Sequence, residues 1–341
     1  MNNEIDKSGC ISYLDLNAEI KRKYISERNY EESMKNNVEP YVASYRKSGY
    51  IDGINNVKLY FEKYIIDNSK GNIVISHGFG EFCEKYTELI YYFLNESYSV
   101  FIMEHRGNAR SSRLGKDKYQ ISVEHFDNYI EDLKTFIDEI VLPEAGDKKL
   151  FMFAHSMGGG IGTAFLEKYP EYFKAAVLSS PMHKINTGKY PQVVADAVST
   201  FLVFVGMGKE YLPGQKPYTG NGKFPCRTTH SKNRWDYENK MKKENEAFQT
   251  GGSSAKWYYE AMKADEKMLL KENAGKVKVP VILFQAELDT HVMPEGHLKF
   301  AENAIDCEIL IVKGSKHESF YEEDNIAFHV IDKILDFYTS I

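Results

Sequence analysis

The chain has 341 residues, 43% of them hydrophobic and 27% charged, with a formal net charge of −6. Those values describe a globular protein with a substantial core, built as one large or two ordinary domains. The acidic balance and the lack of a basic stripe exclude a nucleic-acid binder.

Cys10, Cys83, Cys226 and Cys307 are widely spaced and form no C-x-x-C pair. Neither a disulfide framework nor a zinc site is expected, and a reducing, cytoplasmic setting follows. The opening MNNEIDKSGC is polar and acidic, so no signal peptide is expected. The longest apolar segment, residues 193–207, is about 15 residues long and is interrupted by Asp196, Ser199 and Thr200, too short to span a bilayer.

Residues 1–50 read as a leader of short helices on the domain surface, with Leu14, Leu16, Ile20 and Tyr24 at roughly helical spacing. Residues 57–66 alternate like a strand, and Asp67-Asn68-Ser69-Lys70-Gly71 is a turn. Residues 72–76 form a short β-branched run that ends on His77-Gly78-Phe79-Gly80-Glu81, followed by helical periodicity over 86–93. Residues 98–103 are the next buried strand, running into Glu104-His105-Arg106-Gly107-Asn108-Ala109-Arg110-Ser111. A strongly amphipathic helix is predicted over 123–141, with Phe126, Ile130, Leu133, Phe136, Ile137 and Ile140 on one face.

An apolar run over 150–154 then stops at His155-Ser156-Met157-Gly158 and gives way to Ile161, Ala164, Phe165 and Tyr169 at helical spacing. This is strand, sharp turn, helix, with a serine at the apex, the context in which a strained serine hydroxyl is lifted clear of a sheet edge. Gly158, Gly159, Gly160 and Gly162 are poor helix formers, so local propensity is broken where a site would need it broken. Residues 175–178 are a further strand, ending on Ser179-Ser180-Pro181. Strands alternating with helices predict a parallel sheet covered on both faces.

The alternation breaks over 182–276, which holds the apolar segment, a Gly/Pro-rich loop (212–225) and a charged helical run (231–248). Residues 279–285 resume the sheet, 308–312 add a strand, and a helix over 322–338 closes the chain. The expected organisation is a core of 51–181 and 277–341 interrupted by a mainly helical cap. The cap would sit over the C-terminal strand ends, where ligands bind in open α/β sheets.

A nucleophilic Ser156 needs a base, and the base needs an orienting carboxylate. The strand after the insertion runs into Ala286-Glu287-Leu288-Asp289, and the last strand runs into Lys313-Gly314-Ser315-Lys316-His317. Asp289 and His317 are therefore the candidate acid and base, in the chain order Ser, Asp, His. Glu287 is a competing acid, but it lies closer to its strand. His291 and His297 are competing bases on the acid's own loop and the helix after it. Oxyanion donors are expected at the backbone N–H after the nucleophile, Met157, and in the His77-Gly78-Phe79-Gly80 turn, at Phe79.

Together HGFGE, the following KYTEL, EHRGNARS, AHSMGG, the loop to Asp289 and GSKHE resemble the lysophospholipase and monoacylglycerol lipase branch of the α/β-hydrolase superfamily. The resemblance spans about residues 57–340, and the cap segment TTHSKNRWDYE is more similar to bacterial lysophospholipases. It implies an α/β-hydrolase fold, a mostly parallel central sheet flanked by helices, with an inserted helical cap. It also implies a serine hydrolase of lipid esters with Ser156, Asp289 and His317 as triad and Phe79 and Met157 as oxyanion donors, without metal or organic cofactor. Two motifs depart from the family pattern: Ala154 stands for the usual first Gly of the serine motif, and EHRGNARS carries Glu104 and Ala109 where Asp and Gly are usual. Neither removes a reacting group, and Arg106 is expected to be structural.

Phe201, Leu202 and Phe204 in the apolar segment are candidate substrate-binding residues. They belong either to a cap helix buried on its own domain or to an acyl-chain wall or lid making transient contact with a membrane surface. A short-chain carboxylesterase, or an aminopeptidase or amidase on the same scaffold, is the alternative activity. A peptidase that reads an α-amine would need a carboxylate cluster in the cap, where Glu210, Asp236 and Glu238 are available. A non-catalytic binder of the same fold is the rival from another class.

Overall fold

The computed structural model describes residues 11–341; the start of the leader, Cys10 included, lies outside the described residues. The strands are β1 (Ile11–Tyr13), β2 (Arg46–Asp52), β3 (Lys58–Tyr64), β4 (Gly71–Ser76), β5 (Tyr98–Met103), β6 (Leu150–His155), β7 (Ala175–Ser179), β8 (Val281–Ala286) and β9 (Cys307–Val312). Among the described residues they form one sheet in the order β1-β9-β8-β7-β6-β4-β5-β3-β2. Neighbours from β1 across to β5 are parallel, and β3 and β2 are antiparallel at the far edge.

The central strands are continuous apolar runs because both of their faces are buried. Ile73, Ile75, Phe151 and Phe153 enter the core on one face, beneath the helices Thr87–Asn95 and Asp324–Ser340. Val74, Met152 and Ala154 enter the core on the other, beneath Asp127–Phe136 and Met157–Lys168. Ser156 lies at the C-terminal end of β6 in the middle of the sheet, and the loops after β4, β8 and β9 open at the same end.

The N-terminal region is not only the expected set of surface helices. Residues 30–45 are helical, but β1 pairs with β9 at one sheet edge and β2 pairs with β3 at the other. The reason is local silence: β1 is exposed throughout, and β2 buries only Ile51, so neither carries a periodic signal. The helix expected over 123–141 begins at Asp127 and continues through a π-helical turn, Ile137–Val141, to Ala145. Val123 and Phe126 are buried from the preceding loop, which the apolar period does not distinguish from helix.

Between β7 and β8 lie the helices Gln192–Phe204, Lys232–Glu244 and Ala255–Met268. The last of these was not anticipated. Its N-cap, Ser254, accepts from Trp257 N–H, and that capping serine was the available signal. Trp257, Tyr258, Ala261 and Met268 join the apolar core of the sheet, so this helix packs into the body of the protein.

Of the two readings of the apolar segment, Gln192–Phe204 does not fit the buried one. Ser199 is its one buried residue, Leu202 is half-buried, and Phe201 and Phe204 are 62% and 87% exposed. It leans on Ala255–Met268 through Tyr258 Oη, which bonds Gln192 Nε2 and Asp196 Oδ1 at 2.8 and 2.9 Å. Val193, Val194, Phe201 and Phe204 are therefore displayed and not packed. Among the described residues no helix is long and apolar enough to cross a membrane.

Candidate active site

β6 ends in a turn that places Ser156 at φ 53°, ψ −120°, a conformation that costs a non-glycine residue about 1–3 kcal/mol. The surroundings enforce it. Ser156 N–H donates to Ser179 O at 3.0 Å, while its carbonyl accepts from Met182 and Gly160 N–H at 2.8 and 3.1 Å. Close approach explains the glycines. A Cβ on Gly158 would lie 2.1 Å from Ser76 O, and one on Gly162 would lie 3.0 Å from the Ala154 methyl. The methyl of Ala154 therefore fits in space that Gly162 leaves free.

His317 Nε2 lies 2.8 Å from Ser156 Oγ, and His317 Nδ1 lies 2.7 Å from Asp289 Oδ2. The carboxylate accepts at Nδ1–H, which leaves Nε2 free to take the serine proton. Asp289 Oδ1 accepts from His291 and Val292 N–H at 2.7 and 3.2 Å. Burial alone would raise the Asp289 pKa, but the neighbouring His317 and these hydrogen bonds outweigh it and hold the carboxyl well below its usual range. Asp289 stays ionised and orients the ring.

The competitors serve elsewhere. Glu287 Oε2 accepts from Gly314 N–H at 2.8 Å, bracing the loop that carries His317. His291 packs its ring 4.7 Å from that of His317, and His297 Nε2 bonds Pro181 O at 2.9 Å. Burial, and for His291 the charges of His317 and Arg227 as well, pushes His291 down to about 3; burial pushes His297 down to about 4. Both rings are neutral at ordinary pH, and neither hydrogen-bonds Ser156.

The loop after β4 is held from both sides of Phe79. Gly78 N–H donates to Glu81 Oε2 at 2.6 Å, and Gly80 N–H donates to Asn108 Oδ1 at 3.0 Å. His77 Nδ1–H donates to Gly78 O at 2.7 Å, while its Nε2 accepts from His105 N–H at 2.9 Å. Among the described residues the N–H groups of Phe79 and Met157 donate to no acceptor. Backbone N–H groups without an acceptor are what holding an oxyanion requires.

Glu81 and Asn108 are supporting residues that motif reading did not single out; their place in HGFGE and EHRGNARS was the available signal. Arg106 bonds Asp132 through Nε and Nη2 at 2.6 Å, fully buried, as its structural reading requires. Ala109 has φ 41°, the left-handed region that favours glycine. The chain thus keeps a glycine conformation there without the glycine.

Phe201 and Phe204 line a shallow surface recess with Val193, Asp196, Ala197 and Thr200, to which none of Ser156, Asp289 or His317 contributes. Two clusters have metal-ligand spacing among the described residues. The first joins two members of the relay, Asp289 and His317, to the neighbouring His291. Glu81, His155 and Glu318 already face Lys85 Nζ, which lies 2.8 Å from Glu81 and 2.6 Å from Glu318.

Residues 67–324 match the sequence model of the serine aminopeptidase S33 family. The chain belongs to that family. This S33 protein is similar to lysophospholipase L2 of Escherichia coli K12, with 29% identity over 84% of this chain and 85% of the relative. It is also similar to a probable lysophospholipase L2 of Haemophilus influenzae, with 26% identity over 84% and 90%. Among solved structures, a soluble variant of the Saccharomyces cerevisiae monoglyceride lipase superposes with TM-score 0.69 at 20% identity, covering 86% of this chain and 95% of the other. A thermostable carboxyl esterase from Bacillus coagulans gives TM-score 0.68 at 20% identity, covering 87% and 98%. At such identities the likeness is one of fold, and the fold is that of the α/β hydrolases.

Proposed function

We propose that this S33 protein is a serine hydrolase that cleaves carboxylic esters of lipids, lysophospholipids or monoacylglycerols, through an acyl-enzyme. The observation that carries the reading is the single imidazole of His317 bridging Ser156 Oγ and Asp289 Oδ2. Likeness to proteins named lysophospholipase L2 over 84% of the chain supports the lipid substrate. His317 takes the Ser156 proton as Oγ attacks the ester carbonyl, Asp289 holds the tautomer, and the N–H groups of Phe79 and Met157 receive the oxyanion. His317 then returns the proton to the leaving alcohol. Water attacks the acyl-enzyme with His317 again as base.

Residues 182–276 act as the cap over a core of 51–181 and 277–341. The exposed Val193, Phe201 and Phe204 meet the micelle or bilayer that supplies the substrate, giving a cytoplasmic protein that visits a membrane surface. The three carboxylates named for the peptidase alternative are already engaged by lysines. Glu210 pairs with Lys116, Asp236 with Lys232, and Glu238 with Lys85 and Lys242.

The test is fatty-acid release from lysophosphatidylcholine and from a monoacylglycerol of the same chain, with Ser156→Ala as the blank. Release from the first alone assigns a lysophospholipase, and from the second alone a glyceride lipase. Cleavage of short esters only, or equal release by Ser156→Ala, overturns the proposal.

A further inference from the structure

Behind the relay, Lys85 is buried at 3% exposure on the turn Cys83–Tyr86. Its Nζ lies 2.8 Å from Glu81 Oε1, 2.6 Å from Glu318 Oε1 and 3.3 Å from Glu238 Oε2. All three carboxylates are buried as well. His155 closes the group, its Nε2 3.8 Å from Glu81 Oε1. Removing five ionisable side chains from water is unfavourable unless the geometry compensates each. The core does not require it, since the neighbours on this turn, Cys83 and Tyr86, already fill apolar space.

The three carboxylates come from three separate parts of the site. Glu81 closes the loop that carries Phe79, and its other oxygen accepts from Gly78 N–H and Tyr86 Oη, each at 2.6 Å. Glu318 directly follows His317, and its N–H donates to Thr228 O in the inserted segment at 2.9 Å. Glu238 lies on the inserted helix Lys232–Glu244, where Lys242 holds its second oxygen at 2.5 Å. One ammonium thus joins the oxyanion loop, the histidine loop and the insertion.

We propose that Lys85 is a positioning residue that holds the Phe79 N–H in donor geometry through Glu81 and ties that geometry to the cap through Glu318 and Glu238. Lys85 touches neither Ser156 nor His317 and acts through the carboxylates. The inference rests on the oxyanion and triad assignments made under the proposed function. Without the ammonium, Glu81 loses its counter-charge, Gly78 loses a fixed acceptor, and the neighbouring Phe79 N–H drifts from the tetrahedral oxygen. Loss of one such donor lowers kcat by about 10²–10³-fold.

The experiment compares Lys85→Met, Glu81→Gln and Glu238→Gln with wild type. For each, kcat, KM and the affinity of a boronic acid that forms a tetrahedral adduct on Ser156 are measured. Wild-type turnover that Ser156→Ala abolishes secures the underlying reading first; without it the triad assignment fails, not the hub. In Lys85→Met and Glu81→Gln, kcat and boronic-acid affinity are expected to fall in parallel by about 10²-fold with KM within about twofold. Glu238→Gln is expected to move both the same way by about tenfold, because only the cap leg is cut. Should Lys85→Met fail to fold, the two Glu→Gln variants, which keep shape and one acceptor, decide the matter. Folded variants with unchanged kcat, or with reduced kcat and unchanged boronic-acid affinity, overturn the proposal.

Discussion

Ser156 Oγ and His317 Nε2 lie 2.8 Å apart although 161 positions separate them in the chain. The contact exists because β6 and β9 point the same way in one parallel sheet and both loops open at its C-terminal edge. Replacing Ser156 with Ala is expected to lower ester turnover by about 10⁴-fold or more while leaving the fold intact. Asp289→Asn should lower kcat by about 10⁴-fold, since an amide that donates to Nδ1 leaves the wrong ring tautomer facing the serine. Steady-state kinetics beside circular dichroism separates either loss from unfolding.

Gly158 is the tightest position of the elbow. An added methyl would meet Ser76 O at 2.1 Å and His77 O at 2.4 Å, both backbone atoms that cannot rotate away. Gly158→Ala is expected to cost about 3 kcal/mol of stability through overpacking, and to lower kcat because the displaced strand end carries the Phe79 loop. Gly162→Ala should be milder, because the nearest atom is the flexible Met152 Sδ at 2.7 Å. Urea unfolding of the two variants tests this ranking.

Glu167 gives a pH dependence of known sign. Its carboxyl is buried, its Oε1 has no hydrogen-bond partner, and burial pushes its pKa up to about 8 against the pull of Lys276 and Lys267. The folded state therefore holds a proton that the unfolded state releases near 4.5. The contribution to stability is fully present below pH 4.5 and is lost as pH rises through about 8. Glu167→Gln is expected to raise Tm at pH 8 and leave it nearly unchanged at pH 5. Equal shifts at both pH values would refute the assignment.

Phe201 and Phe204 stand in water on the inserted helix, an arrangement that apolar side chains sustain best where a lipid phase covers them. The double variant Phe201→Ser, Phe204→Ser should lower hydrolysis of long-chain substrate presented in micelles by about tenfold and spare a short soluble ester. Equal losses on both would assign these residues to packing of the insertion.

What the sequence determined alone were the features encoded within a few residues. Apolar runs marked the central strands, the glycines after Ser156 marked a helix that starts against its own propensity, and the loops after two strands offered Asp289 and His317 in order. Each signal is local because strand burial, turn chemistry and motif spacing are local properties of the chain. The tertiary structure alone decided the rest. β1 and β2 are specified by edge partners far along the chain and bury too little to leave a pattern. The exposure of Phe201 depends on what lies above its helix, which composition does not encode. That Lys85, Glu81, Glu318 and Glu238 meet is not encoded near any of them, for charge is buried only where opposite charge arrives from elsewhere in the chain.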